Sequence, residues 1–207
     1  MKALQDSVVL GRLFCCLGLF AWQERIILTI APQYVRKPLT GIPRQRAEKM
    51  WTTADLCDQF GAAVQVVQPL LRSFGGTRSF CGPIATVKVF EDNTSVRLRL
   101  QEPGNGRVLL VDGGGSLTCA LVGDQLAQLA MQNGWSGIVV YGCIRDSAAL
   151  GEMAIGVMAL ATMPRKSEKR GAGEHDVPVT FGGITFTPEH YLYADDDGII
   201  VSVSPLL

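Results

Sequence analysis

The chain has 207 residues, 19 basic and 19 acidic, and 47% of it is hydrophobic. That is enough for one ample domain with a proper core, and the balanced charge excludes a global electrostatic footprint for nucleic acid. Six cysteines stand at 15, 16, 57, 81, 119 and 143 without a C-x-x-C pair, and the only histidines are His175 and His190. This argues against a structural zinc site and points to buried free thiols in a reducing compartment, the cytoplasm.

Residues 1–49 read differently from the rest. Val8–Ala21 is apolar but broken by Arg12 and Gly18, and Ile26–Ala31 is a second short run. Neither reaches the ~18 uninterrupted apolar residues of a membrane span. Three readings stay open: an upstream translation with the true start at Met50, a targeting segment, or a genuine interaction or anchoring segment in which Cys15-Cys16 could be acylated.

From Met50 onward the pattern is regular. Thr52-Thr53-Ala54-Asp55 opens a helix, and Leu56, Phe60, Ala63, Val64 and Val67 extend its apolar face until Pro69. Ser79–Val89 reads as a strand and Asn93–Gln101 as a helix with Arg97 and Arg99 on a solvated face. Arg107–Asp112 is a buried strand, Leu121–Asn133 a helix closed by Asn133-Gly134, and Trp135–Tyr141 a strand. Ser147–Met153 is a short helix and Val157–Thr162 a strand, followed by a charged surface loop over Pro164–Asp176. Val177–Phe181 and Ile184–Phe186 make a hairpin across Gly182-Gly183, and Ile199–Val203 is the last strand. Strands alternating with helices, then hairpins, predict an α/β domain with a mixed sheet.

Three residues carry the most chemistry. Asp124 sits in Gly123-Asp124-Gln125-Leu126, and twenty residues separate it from Arg145-Asp146. Carboxylates are hard donors suited to Mg²⁺ or Mn²⁺, and arginine grips a carboxylate bidentately. Arg145-Asp146 follows a strand end, where α/β sheets place ligands. Gly123 permits close approach, and the amides of Gln125 and Leu126 in the first helical turn are expected to be free to bind an anion.

Other motifs carry less. Val111-Asp112-Gly113-Gly114-Gly115-Ser116 is neither a Walker loop nor a dinucleotide fingerprint and reads as a tight turn. Asp195-Asp196-Asp197-Gly198 reads as a turn rather than a calcium loop. Glu174-His175-Asp176 and Arg165–Arg170 read as solvated loop.

In Val111-Asp112-Gly113-Gly114-Gly115-Ser116 and Gly142-Cys143-Ile144-Arg145-Asp146, and in Ala54-Asp55-Leu56-Cys57-Asp58, Phe74-Gly75-Gly76, Asn133-Gly134-Trp135, Pro164-Arg165-Lys166-Ser167, Val177-Pro178-Val179 and Tyr193-Ala194-Asp195-Asp196-Asp197-Gly198, the chain resembles the RraA-like family from about Thr53 to Ser202. The family includes class II 4-hydroxy-4-methyl-2-oxoglutarate and 4-carboxy-4-hydroxy-2-oxoadipate aldolases and the regulator of ribonuclease E activity. The resemblance implies a β/β/α sandwich of the swivelling phosphohistidine-domain-like type over residues 50–207. It also implies a ring-shaped homotrimer with sites at subunit contacts.

An Asp, twenty residues, then Arg-Asp resembles the aldolase branch. The resemblance implies Asp146 as ligand of Mg²⁺ or Mn²⁺, Arg145 for a 2-oxo acid, Gly123–Leu126 for substrate binding, and Asp124 for orienting a water. The implied activity is retro-aldol cleavage to pyruvate, with oxaloacetate decarboxylation at the same site. The alternative is a non-enzymatic regulator that binds and inhibits ribonuclease E; no direct nucleic-acid binding is expected. Two departures stand out: Ala148-Ala149 where relatives often carry another acid, and an end at Leu207 without the C-terminal helix of longer aldolases.

Overall fold

The computed structural model describes residues 51–207. The three readings of residues 1–49, and the Cys15-Cys16 pair, lie outside the described residues. In chain order the elements are α1 (Thr53–Phe60), a 3-10 turn (Gly61–Ala63), β1 (Val64–Val66), β2 (Arg72–Ser73), β3 (Phe80–Lys88) and α2 (Thr94–Leu100). There follow β4 (Val108–Asp112), β5 (Ala120–Val122), α3 (Asp124–Gln132), β6 (Gly137–Ile144), α4 (Ser147–Glu152), β7 (Gly156–Thr162) and β8 (Glu174–His175). The last are β9 (Val179–Phe181), β10 (Ile184–Phe186), β11 (Tyr191–Ala194) and β12 (Ile199–Ser202).

Ten strands form one mixed sheet in the order β1-β12-β11-β3-β4-β6-β7-β2, with β5 added beside β6 and β8 beside β3. The centre is parallel: β3 pairs β4, β4 pairs β6, and β6 pairs both β5 and β7. Parallel strands are covered on both faces and so read as unbroken apolar runs; all five residues of β4 are buried. On one face Val96 and Leu100 of α2, Leu126, Ala127 and Ala130 of α3 and Leu150 of α4 pack against Leu109, Val111, Ile138, Val140 and Val157. On the other, Val179, Phe181 and Phe186 of the β9–β10 hairpin cover Ile84, Leu110 and Val139, with Leu192 and Val201 in the same cluster. Each fully buried Leu, Ile or Phe stabilises the fold by about 1.5–3 kcal/mol. The result is the expected mixed-sheet α/β sandwich.

The first predicted helix is shorter than its apolar spacing suggests. Thr52 caps α1 by accepting from the Asp55 amide at 2.9 Å. The helix then ends at Phe60 because Gly61 turns to φ +50°, a conformation that costs glycine little. Val64–Val66 pairs with β12 as an edge strand instead; three extended residues that gain a ladder outcompete one more marginal helical turn. Asp195 anchors the other end of α1: it accepts from the Thr53 amide at 2.9 Å and from Thr53 Oγ1 at 2.6 Å. Asp195 also accepts from the Asp197 amide, and its own amide donates to Gly198, so 195–198 is a closed turn.

Two further expectations change. Arg99 is not on a solvated face: its side chain is 11% exposed and pairs with Glu102 and Asp176, each at 2.7 Å. The described cysteines are all free, but only Cys119 and Cys143 are buried; Cys57 and Cys81 are half-buried. The Gly113–Ser116 turn is filled by packing, since a Cβ on Gly113 would lie 2.5 Å from the Leu121 side chain and one on Gly115 3.1 Å from the Tyr141 ring.

Candidate functional site

The site lies where three chain segments meet at the C-terminal ends of β5, β6 and β7. The apolar spacing predicts α3 from Leu121, but Leu121 and Val122 belong to β5. Ala120 of that strand pairs with Cys143, and Val122 O accepts the Arg145 amide at 2.9 Å. This strand pairing carries Gly123 alongside Arg145-Asp146. Gly123 is the N-cap of α3 in extended backbone and makes no side-chain capping bond. Its missing Cβ matters: an added one would lie 2.7 Å from Asp146 Oδ2, 3.1 Å from Arg145 Cγ and 3.2 Å from Arg145 Nε.

Asp146 begins α4 from the left-handed region, at φ 57° and ψ 35°. Aspartate tolerates this better than most residues, and such positions favour functional sites. Its backbone carbonyl accepts from Leu150, which fixes the turn. Arg145 Nε reaches Asp146 Oδ2 at 3.2 Å, with the two side chains 38% and 39% exposed. Asp124 is the first residue of α3, and its Oδ1 accepts from the Gln125 amide at 2.7 Å. The Leu126 amide donates to Gly123 O at 3.1 Å. The two amides expected to be free are therefore both engaged, because the short Asp124 side chain and the tight first turn close on them.

Two cavities share these residues. One, of about 440 Å³, is lined by Gly123–Leu126, Arg145, Asn93 and Arg97, and by Lys166–Lys169. The other, of about 610 Å³, is lined by Asp124, Arg145, Asp146, Ala148 and Met163, among others. Asp124 and Arg145 stand between the two. The first cavity also takes in Lys166 and Ser167, which residue type alone places in a solvated loop. The Pro164–Ser167 motif was the available signal, but spacing along the chain does not show that the loop folds back. It does so because Arg165 O accepts the Ala120 amide at 2.8 Å. Glu174-His175-Asp176 is spent otherwise, with β8 paired to β3 and Asp176 bound to Arg99.

Among the described residues no three His, Cys, Asp or Glu side chains converge on one point. A cation here would rest on a single protein carboxylate and fill its shell with water and ligand oxygens, as Mg²⁺ commonly does. Asp146 fits that role: Oδ2 faces Arg145, and the side chain is 39% exposed and lines the larger cavity.

Comparison with known proteins gives this geometry a context. The model of the RraA-like family, described as Aldolase/RraA, matches residues 53–201. The chain belongs to the RraA-like family. Relatives from Aromatoleum aromaticum and Laribacter hongkongensis are 61% and 63% identical over 155 residues, covering 75% of this chain and 98% of each relative. Both carry the provisional name 4-hydroxy-4-methyl-2-oxoglutarate aldolase. Among solved structures, a Geobacillus kaustophilus protein described as S-adenosylmethionine:2-dimethylmenaquinone methyltransferase superposes with a TM-score of 0.74 at 52% identity, covering 75% of this chain and 97% of that one. The RNA-processing inhibitor RraA from Thermus thermophilis gives 0.73 at 44% identity, covering 76% and 95%. The mixed sheet and helix layer described above are thus the RraA-like fold. Within that fold, β5 and β6 bring Gly123, Arg145 and Asp146 of this RraA-like chain together, with Asp124 at the rim of both cavities. Among the described residues no helix is long and apolar enough to cross a membrane.

Proposed function

We propose that this chain is a divalent-metal-dependent carbon–carbon lyase. It cleaves 2-oxo acids of the 4-hydroxy-4-methyl-2-oxoglutarate type to pyruvate, and it decarboxylates oxaloacetate at the same site. The single observation that carries the reading is the convergence of Arg145 and Asp146 on the bare backbone of Gly123, with Asp124 beside them. The provisional aldolase name of the relatives agrees with it.

Asp146 would hold Mg²⁺ or Mn²⁺, which when bound supplies Lewis acidity toward a 2-oxo oxygen. Arg145 grips the carboxylate and keto oxygens of the pyruvyl unit and adds positive charge where negative charge develops. In the retro-aldol step the C3–C4 bond breaks, its electron pair passes to the pyruvyl fragment, and the 4-hydroxyl loses its proton. Asp124 takes that proton through a water, and the same relay returns a proton to C3 of the pyruvyl fragment to complete pyruvate; a positioned base of this kind contributes roughly 10²–10⁴-fold. In oxaloacetate the bond broken is the one to the departing CO₂; its electron pair passes to the pyruvyl fragment, whose developing negative charge Arg145 stabilises, and a proton from water completes pyruvate. No lysine is required as a Schiff base.

The test is pyruvate release from oxaloacetate and from 4-hydroxy-4-methyl-2-oxoglutarate with MgCl₂, with and without EDTA. Turnover that EDTA abolishes and that Arg145→Ala and Asp146→Ala both lose supports the reading. Turnover indifferent to EDTA and to both substitutions overturns it. The proposal extends to residues 50–207 as the lyase domain, to a homotrimer checked by light scattering, and to a cytoplasmic location checked by fractionation.

A second reading is a regulator that binds and inhibits ribonuclease E. It is favoured by the 44% identity to the Thermus RNA-processing inhibitor. Inhibition of purified nuclease by this chain, retained in Asp146→Ala, would support it.

A further inference from the structure

The 165–172 segment closes over the first cavity, yet it has almost no regular structure of its own. Between Met163 and Gly173 its backbone is held at few points. Arg165 O accepts from Ala120, and Lys166 forms a lone parallel bridge with Ala120. The Glu168 amide donates to Glu91 O at 3.2 Å, and Glu168 bridges Asp92. Of the remaining backbone ties, the Ala172 carbonyl accepts from Ser95 Oγ at 3.4 Å, and the others end on one carboxylate. Asp92 Oδ2 accepts from the Arg170 amide at 2.7 Å and the Ala172 amide at 3.2 Å, while Oδ1 accepts from the Thr94 amide at 2.7 Å.

Asp92 is 1% exposed. A carboxylate buried this deeply is tolerated only when it is hydrogen-bonded throughout. The neighbouring Glu91 is in the left-handed region at φ 56°, so the backbone bends to turn Asp92 inward. Asn93, the next residue, donates from Nδ2 to Leu121 O at 3.1 Å. Asp92 and Asn93 thus stitch the start of α2 to both walls of the cavity: the 165–172 segment on one side, and β5 with its continuation Gly123-Asp124 on the other. Nothing in the lyase mechanism uses Asp92 directly, and its charge faces backbone donors rather than the cavity.

We propose that Asp92 is a positioning residue of this site: its carboxylate holds the 165–172 segment, and with it Lys166 and Ser167, in register with Arg145 so that the cavity fits a 2-oxo acid. The claim rests on the lyase reading for its ligand but not for its clamp. Four trypsin sites (Arg165, Lys166, Lys169 and Arg170) lie in this segment. All four are exposed, so proteolysis there reports how firmly the segment is held.

The experiment compares the full wild-type chain with Asp92→Ala, Asp92→Asn and Ala172→Pro, each with MgCl₂. The last deletes one loop donor and leaves the carboxylate untouched. Oxaloacetate KM and kcat are measured beside the rate of trypsin cleavage within 165–170. The expected result for Asp92→Ala is a KM raised about 10- to 100-fold by misplacement of the cavity wall, with a smaller change in kcat. Cleavage in the segment should be faster by about tenfold as its open form becomes populated. Asp92→Asn, which keeps one acceptor, should fall between Ala and wild type, and Ala172→Pro should move in the same direction. If Asp92→Ala does not fold, Ala172→Pro decides. Folded variants with wild-type KM and wild-type cleavage overturn the proposal, as does a loss of kcat alone. A wild-type chain that turns over no oxaloacetate sinks the lyase reading instead, and the trypsin comparison then decides the clamp by itself.

Discussion

Gly123 and Asp146 are matched to each other by space: the Asp146 carboxylate oxygen lies 2.7 Å from where a Cβ on Gly123 would be. The two residues belong to different strands' ends and meet because β5 runs parallel beside β6. The relationship makes a sharp prediction. Gly123→Ala drives a methyl into the Asp146 carboxylate and against Arg145, and displaces both. Pyruvate release should fall about 100-fold, the scale of a 1 Å misplacement. Glycine at 123 has extended backbone, so the thermal midpoint should move little. A large fall in stability with activity per folded molecule intact would contradict this account.

Arg145 is the only cation within reach of Asp146 in an ion pair among the described residues. Arg145→Lys keeps the charge but loses the planar fork that matches a carboxylate. We expect kcat/KM to fall by roughly 10²–10³, the cost of one preorganised charge-stabilising group. Lysine performing as well as arginine would show that charge alone suffices at this position.

Asp92 carries a pH dependence whose sign is fixed by its surroundings. Burial opposes its ionisation, but hydrogen bonds from Thr94, Ala172 and Arg170 outweigh that and bring its pKa down from 3.8 to about 2. A carboxyl depressed in the folded state contributes stability that is fully present above its unfolded value and is lost as pH falls through its folded value. The window therefore runs from about pH 4 down to about pH 2. The urea midpoint of wild type should drop more steeply across this window than that of Asp92→Asn. Parallel curves would remove Asp92 from the acid sensitivity.

Asp195 ties the first helix to the β11–β12 turn, at 1% exposure. Asp195→Ala leaves the Thr53 amide, the Thr53 hydroxyl and the Asp197 amide without that acceptor. The loss should be about 2–3 kcal/mol, read by denaturant unfolding. The site is built from other elements, so activity of the folded fraction should persist.

Much of this molecule is legible along the chain. The apolar runs of β4 and β6 announce covered parallel strands, and Gly182-Gly183 announces its hairpin. Asp124, Arg145 and Asp146 stand out by chemical type and spacing. Short segments whose fate is decided by distant partners are not legible in this way. Val64–Val66 keeps a helical spacing yet pairs with β12, and Leu121–Val122 precedes a helix yet pairs with β6. Arg99 looks like a surface charge until Asp176 arrives from the far end of the chain. Each case turns on a contact that local propensity does not contain.

Residue type, spacing and motif suffice for the class of fold and the family, and they single out Asp124, Arg145 and Asp146 as candidates. That Gly123 faces Asp146, that Lys166 and Ser167 line a cavity with Gly123 and Arg145, and that Asp92 binds the Arg170 and Ala172 amides emerges only in the folded chain. The physical reason is that periodicity and residue type record which surfaces each segment must bury. The pairing of β5 with β6 and the reach of one buried carboxylate are long-range hydrogen bonds, fixed only when the whole sheet has formed.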